Sequence, residues 1–159
     1  MDIVETHDVL EIQSILFAAD FSRQGSHGFR YAITLSKHFQ AKLFIFHAIN
    51  LQSTMPAADP TGGVALTDYV EVLEDESRAR LSEMLRLAEA HGVEAETILV
   101  EGTPHRTALK EAERLGVDLI VVSTHGRTGM EHLLLGSTAE KIIRQSPIPV
   151  LVVRHPSKS

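Results

Sequence analysis

Two places in this chain set residues able to hold an anion or a sugar at spacings a folded backbone can use. The first is Ser123–Glu140, STHGRTGMEHLLLGSTAE, which follows the apolar run VDLIVV. Gly126, Gly129 and Gly136 offer backbone without a Cβ, Arg127 is the nearest fixed cation, and Gly136 directly precedes Ser137 and Thr138, where a helix opens. Free amides, two hydroxyls and the positive end of a helix dipole then point at one spot, which is the chemistry of a phosphate site. Gly126 and Gly129 would equally serve a turn needing positive φ, and Gly136 would equally end a short helical turn. The conjunction with Ser137 and Thr138 favours the anion. The second place is Asp20, in AADFS, where an apolar run ends. Its carboxylate can accept hydrogen bonds from sugar hydroxyls, or can simply cap the turn that follows. On the residues alone the ligand is a phosphate compound.

Other chemistries find little footing. There is no G-x-x-x-x-G-K-[ST] and no G-x-G-x-x-G after the first apolar run, which argues against Walker-type NTPases and ordinary dinucleotide dehydrogenases. No H-E-x-x-H and no G-x-S-x-G occur; His125 and His132 lie seven apart and read as surface or packing histidines rather than metal ligands. His47, inside an apolar run, reads as a hydrogen-bonded core histidine, and Glu71, Glu74, Asp75 and Glu76 as a solvated helix face. No general acid–base pair stands out. Cysteine is absent, so disulfides and thiolate metal sites are excluded. The net charge of −6 argues against nonspecific binding to nucleic acid or anionic membrane. The start, MDIVETHDVLEIQ, is acidic and lacks a signal-peptide core, and no apolar run approaches a membrane span. The expected placement is cytoplasmic.

The elements that must hold these residues alternate. Continuous Val-, Ile- and Leu-rich runs at Ser14–Ala19, Lys42–Ile49, Val117–Ser123 and Pro149–Arg154 read as buried parallel strands. Ala95–Glu101 alternates more and reads as an edge strand. Four helices fit between them. The first follows Ser22, with Phe29, Ile33 and Phe39 as its apolar face and Gly25 and Gly28 weakening it. The second covers about Thr67–His91, with Val70, Leu73, Leu81, Met84 and Ala88 as its stripe and Gly92 as C-cap. The third has Thr103 as N-cap, Pro104 at its first position and Gly116 at its end. The fourth opens at Ser137, whose spacing to Glu140 is that of a capping box, and stops at Pro147. Strand–helix alternation of this kind means an α/β fold with right-handed crossovers, in one domain spanning 1–159. Asn50–Gly63, rich in Pro, Gly and Ala, is a long loop expected to be mobile up to about residue 66, and 155–159 an expected frayed tail.

The stretch STHGRTGMEHLLLGSTAEKIIRQSPIPVLVVR resembles the C-terminal signature of the universal stress protein family, ILFAADFS and LFIFHAIN its first two strands, and EGTPHRTALKEAERLGVDLIVV its third helix and fourth strand. The family's nucleotide motif is G-x2-G-x9-G-[ST]. Here nine residues lie between Gly126 and Gly136 and Ser137 follows, but Ser123 replaces the first glycine. The resemblance implies a doubly wound, Rossmann-like five-stranded parallel sheet in the order 3-2-1-4-5, a homodimer, and ATP bound between strands one and four. Asp20 would meet the ribose, the Ala48 backbone the adenine edge, and Ser123 would lie beside the ribose. Gly126, Arg127, Gly129, Gly136, Ser137 and Thr138 would surround the phosphates, with Mg²⁺ bridging phosphate oxygens. The family holds members that bind ATP and members that do not, so Ser123 either crowds the ribose or bonds it. An ATP-binding regulatory dimer with at most slow hydrolysis is the expected function. A dimeric interaction module that ignores nucleotide is the alternative, and an adenylating enzyme would need an acceptor site the sequence does not display. In the implied order the last strand is an unpaired edge, and pairing Val150, Leu151, Val152 and Val153 with a second copy would cover it.

Overall fold

The computed structural model describes residues 9–23, 25–54, 66–124 and 135–154. Five strands, β1 (Ser14–Ala18), β2 (Lys42–Ile49), β3 (Ala95–Glu101), β4 (Leu119–Ser123) and β5 (Val150–Val153), form one sheet in the order β3-β2-β1-β4-β5. Every pairing is parallel. This is the expected doubly wound order, with β3 at one edge as its alternating sequence implies. The four expected helices are α1 (Gly25–Phe39), α3 (Leu66–Ala90), α4 (Pro104–Leu115) and α5 (Ser137–Gln145). A fifth, α2 (Leu51–Thr54), is a single turn at the start of the segment read as a loop. The remainder of that segment from 55 to 65, and the tail, lie outside the described residues.

Because every strand returns through a helix, both faces of the sheet are covered and its inner strands are largely apolar. Alternate residues of the strands feed two cores. Ile15, Phe17, Leu43, Ile45 and Val121 pack with Phe29, Ala32 and Ile33 of α1 and Leu81 and Ala88 of α3. Leu16, Phe44, Phe46, Ile120 and Val122 pack with Ala108, Leu109 and Ala112 of α4 and Ala139 and Ile142 of α5. At the lower edge, Asp118 Oδ2 accepts hydrogen bonds from the Gln13 and Ser14 amides at 2.9 Å and from Ser14 Oγ at 3.2 Å, which fixes the start of β1 beside β4.

Two local expectations are corrected. Phe39 is not part of the buried face of α1; it is 41% exposed. Six residues beyond Ile33 is about 240° around a helix, and Ser36 takes the inward position instead. The helix then ends with Gln40 in the left-handed region at φ 56, where Ala41 N–H returns to the Ser36 carbonyl. The same closure ends α3 at Gly92 and α4 at Gly116, as their sequences imply, with φ of 77 and 63.

Candidate functional site

The order of the strands reverses between β1 and β4, and the crevice above their carboxyl ends is where an open α/β sheet accepts ligands. Phe17 pairs with Val121, so the chain leaving β1 at Ala19 and Asp20 stands beside Ser123 and Thr124 leaving β4. Asp20 Oδ1 accepts the Ser22 amide at 2.9 Å and the Ser22 hydroxyl at 2.8 Å. Ser22 Oγ in turn accepts the Gly25 amide at 2.8 Å, the first residue of α1. Asp20 therefore acts in the turn that starts the helix, and both of these bonds fall on one carboxylate oxygen. Phe21, between them, holds φ 56, a conformation a bulky side chain rarely adopts. Its ring lies 4.0 Å from that of His47, whose Nδ1 is 2.7 Å from the Ala19 carbonyl, and Arg80 sits 5.4 Å from the same ring. Tertiary contact thus holds the backbone outlier that turns Ser22 back to Asp20.

Gly25 and Gly28 were expected to weaken α1; they let it approach the site. A Cβ on Gly25 would overlap Asp20 Oδ1, and one on Gly28 would overlap Ser123 Oγ while lying 3.3 Å from Phe17 Cε2. The Ser123 hydroxyl is thus directed at α1, buried and without a hydrogen-bond partner among the described residues. Whichever way a ligand lies, the extra side chain at the first position of the glycine motif is accommodated by a glycine one strand–helix contact away. A signal for this was present in the sequence: two glycines three apart at a helix start, following D-x-S.

The β4–α5 junction is built differently. The Gly136 amide donates to the Thr124 carbonyl, tying the start of α5 to the end of β4, and Thr124 N–H donates to Val153 at 3.0 Å. Gly136 is the N-cap at φ −69 and ψ 151, and no side chain caps the helix. The capping box expected at Ser137 and Glu140 is absent. The helix opens at Ser137 as expected, but Gly136 rather than Ser137 is its N-cap, and the Glu140 carboxylate pairs instead with Arg144 at 3.0 Å. The backbone angles of Gly136 suit any residue, so positive φ is not the reason for a glycine there. The first-turn amides of α5, at Ser137 and Thr138, are left without a side-chain acceptor at the upper edge of the sheet.

Ala48 is buried near the upper end of β2. The Phe46 carbonyl accepts the Ala19 amide at 2.8 Å, so by the two-residue period of a strand the Ala48 N–H and C=O also face the β1 side, beyond the last residue of β1. Asp20, Ala48, Ser123, Gly136, Ser137 and Thr138 are thus gathered along one edge, Ser123 with its hydroxyl turned to α1. Gly126, Arg127 and Gly129 lie outside the described residues. Sequence reasoning did not single out His105, in the first turn of α4. It is 8% exposed, and burial, then Lys141, then Arg106 lower its pKa from the ordinary 6.5.

A five-stranded parallel sheet in the order β3-β2-β1-β4-β5 with helices on both faces defines a doubly wound α/β protein. The sequence model of the universal stress protein family matches residues 11–154. The universal stress protein MJ0531 of Methanocaldococcus jannaschii is 33% identical over 146 residues, covering 92% of this chain and 84% of that protein. The solved structure of protein MJ0577 of the same organism superposes with a TM-score of 0.81 at 25% identity, over 94% of this chain and 100% of that one. A universal stress protein solved in complex with cAMP shares the fold, with a TM-score of 0.68 at 23% identity over 91% of this chain and 98% of its own. The chain belongs to the universal stress protein family.

Proposed function

We propose that this chain binds ATP in the crevice between β1 and β4 and acts as a homodimeric regulatory protein of the cytoplasm, in a single domain, with hydrolysis slow at most. The observation that carries the reading is the start of α5. A glycine stands at its N-cap although the backbone there does not require one, and no side chain takes the first-turn amides. Phosphate oxygens can approach where a Cβ would stand, and gain both hydrogen bonds and the helix dipole. Asp20, with one oxygen committed to Ser22, would turn the other to the ribose, and the outward N–H and C=O of Ala48 would meet the adenine edge. Ser123 would contribute backbone at the ribose while its side chain faces α1. Gly126, Arg127 and Gly129 would complete the phosphate cradle. Among the described residues no three His, Asp or Glu stand together as a metal site. Mg²⁺ would therefore ride on the phosphates. The adenine nucleotide held by the cAMP-bound neighbour supports the same ligand class.

The dimer reading rests on β5, a short apolar strand with a partner on one side only among the described residues. Pairing Val150–Val153 with a second copy would satisfy its outer amides. Sedimentation at micromolar concentration should return dimer, and monomer alone would reject this part.

Titration calorimetry of ATP with Mg²⁺ into wild type, Gly136→Val and Ser123→Gly tests the nucleotide reading. Val fits the backbone angles of position 136, so the variant should stay folded. Displacing the phosphates from two charge-assisted bonds should weaken binding about a hundredfold or more. Ser123→Gly should bind as wild type does or more tightly. Wild type that ignores millimolar ATP would leave the nucleotide-independent interaction module as the function.

A further inference from the structure

We propose that His47 is a positioning residue: its imidazole takes the Ala19 carbonyl out of the sheet, and so keeps the Ala48 amide open as a hydrogen-bond donor to a ligand in the crevice. That the ligand is an adenine nucleotide rests on the reading above; the open donor does not.

The rungs between β1 and β2 show where the sheet is stopped. In a parallel pair, a residue turns its N–H and C=O to the same neighbouring strand, and alternate residues turn the same way. On β2 the even positions face β1. Lys42 N–H donates to the Gln13 carbonyl at 2.9 Å, and the Phe46 carbonyl accepts the Ala19 amide at 2.8 Å. By the same alternation the next rung would run from the Ala48 N–H to the Ala19 carbonyl. That rung is not formed, and the register ends at the pair Ala18 and Phe46. Neither strand has run out, because Ala19 is still tied to Phe46 and β2 continues to Ile49. The Ala19 carbonyl lies instead 2.7 Å from His47 Nδ1. A carbonyl only accepts, so Nδ1 carries the proton and donates.

A histidine placed only for packing could bond any nearby acceptor. This one takes the acceptor whose loss leaves the next amide bare. Ala48 is 7% exposed, and its N–H has no partner among the described residues. A backbone donor at a buried position is nearly always paired. The one at Ala48 stands at the crevice, where a ligand atom can complete it.

The imidazole is braced in this orientation. Strand alternation puts it on the face covered by α1 and α3, opposite the Phe46 and Ala48 side chains. There the Phe21 ring lies 4.0 Å away, tilted by 33°, with Arg80 of α3 5.4 Å from the Phe21 ring. Phe21 reaches this place only at φ 56, a conformation costly for a bulky residue. His47 thus acts on the crevice through the Ala19 carbonyl, and the strained Phe21 keeps it there.

Scalar couplings across hydrogen bonds, measured by nuclear magnetic resonance on isotope-labelled, ligand-free protein, read the rung directly. Wild type should show no coupling between the Ala48 amide and the Ala19 carbonyl. His47→Phe keeps a ring against Phe21 but has no donor, so the rung should form and the coupling appear. His47→Asn keeps a donor where Nδ1 stood and should leave the rung unformed. In calorimetry with ATP and Mg²⁺, His47→Phe should bind about tenfold more weakly, because the base must break the new rung, and His47→Asn should stay within about threefold of wild type. A histidine that only packs would lower stability in both variants and move neither the rung nor the ratio of their affinities. If wild type ignores ATP while the rung appears only in His47→Phe, the open amide stands and only the nucleotide reading fails. If His47→Phe does not fold, wild type and His47→Asn decide. A rung already present in either of these two, a folded His47→Phe without one, or a rung that leaves ATP affinity unchanged overturns the proposal.

Discussion

Two helices leave the same edge of the sheet beside the same crevice, and they begin in opposite ways. α1 starts closed: Ser22 Oγ takes the Gly25 amide at 2.8 Å, Asp20 holds Ser22, and two glycines press the helix against Asp20 and Ser123. α5 starts open: its N-cap is a glycine with no side chain to give, and its glutamate has turned away to Arg144. A glycine at the N-cap costs a few tenths of a kcal/mol relative to a good capping side chain. On the proposed reading, the bare amides at the start of α5 are kept for a phosphate outside the chain. The contrast also separates roles within the site. The β1–α1 junction is closed by its own side chains, and the β4–α5 junction is the one that the proposed ligand would complete.

The closed junction breaks most severely where its packing is tightest. Gly28→Ala places a Cβ over the Ser123 hydroxyl and 3.3 Å from Phe17, inside the core between α1 and the sheet. Overpacking of this kind should cost about 1–3 kcal/mol in denaturant unfolding. The double variant with Ser123→Gly removes the clash together with a buried hydroxyl that has no partner among the described residues. It should recover most of that loss, helped by the better helix propensity of Ala over Gly, worth about 0.8–1 kcal/mol. Additive losses in the double variant would mean that the two positions do not meet.

A smaller effect distinguishes the two serines. Ser22→Ala removes the cap of α1 and one partner of Asp20 and should cost about 1 kcal/mol. Ser137→Ala, at the first position of α5 where no side-chain cap exists, should stay within about 0.5 kcal/mol of wild type. Equal losses in thermal unfolding would erase the distinction between a structural and an open junction.

How far the sequence disclosed this arrangement depended on the kind of signal. Runs such as KLFIFHAI are apolar at all but Lys42 and His47 because both faces of the sheet are covered, so strands and their parallel sense were readable, and the alternation in AETILVE marked an edge. The order of the strands came from the family resemblance, since local patterning does not carry it. Local rules misled where tertiary contact overrode them. Gly25 and Gly28 look like weak points of a helix because propensity is a property of the isolated chain; their use appears only once Asp20 and Ser123 lie opposite. Ser137 and Glu140 have the capping-box spacing, yet the Gly136 amide is held by the Thr124 carbonyl, Gly136 rather than Ser137 is the N-cap, and Glu140 pairs with Arg144. Phe21 in a left-handed conformation and the burial of His105 carry no signature in composition or spacing at all.

The mildest change is the sharpest test of the contrast, because it makes one junction resemble the other. Gly136→Ser gives α5 a hydroxyl at its N-cap, the kind of acceptor that Ser22 gives α1. The backbone at φ −69 and ψ 151 is that of an ordinary N-cap, so the serine needs no rearrangement. With its oxygen on a first-turn amide, the helix should gain a few tenths of a kcal/mol, read as a slightly higher unfolding temperature without nucleotide. The same oxygen then stands where a phosphate would, and a bound anion must displace it and pass its Cβ. ATP affinity should therefore fall although the protein has become more stable. Stability and binding moving in opposite directions is an outcome that neither general damage nor a ligand-free role for the glycine produces. A variant that gained stability and bound ATP as tightly as wild type would place the phosphates elsewhere and leave the open start of α5 unexplained.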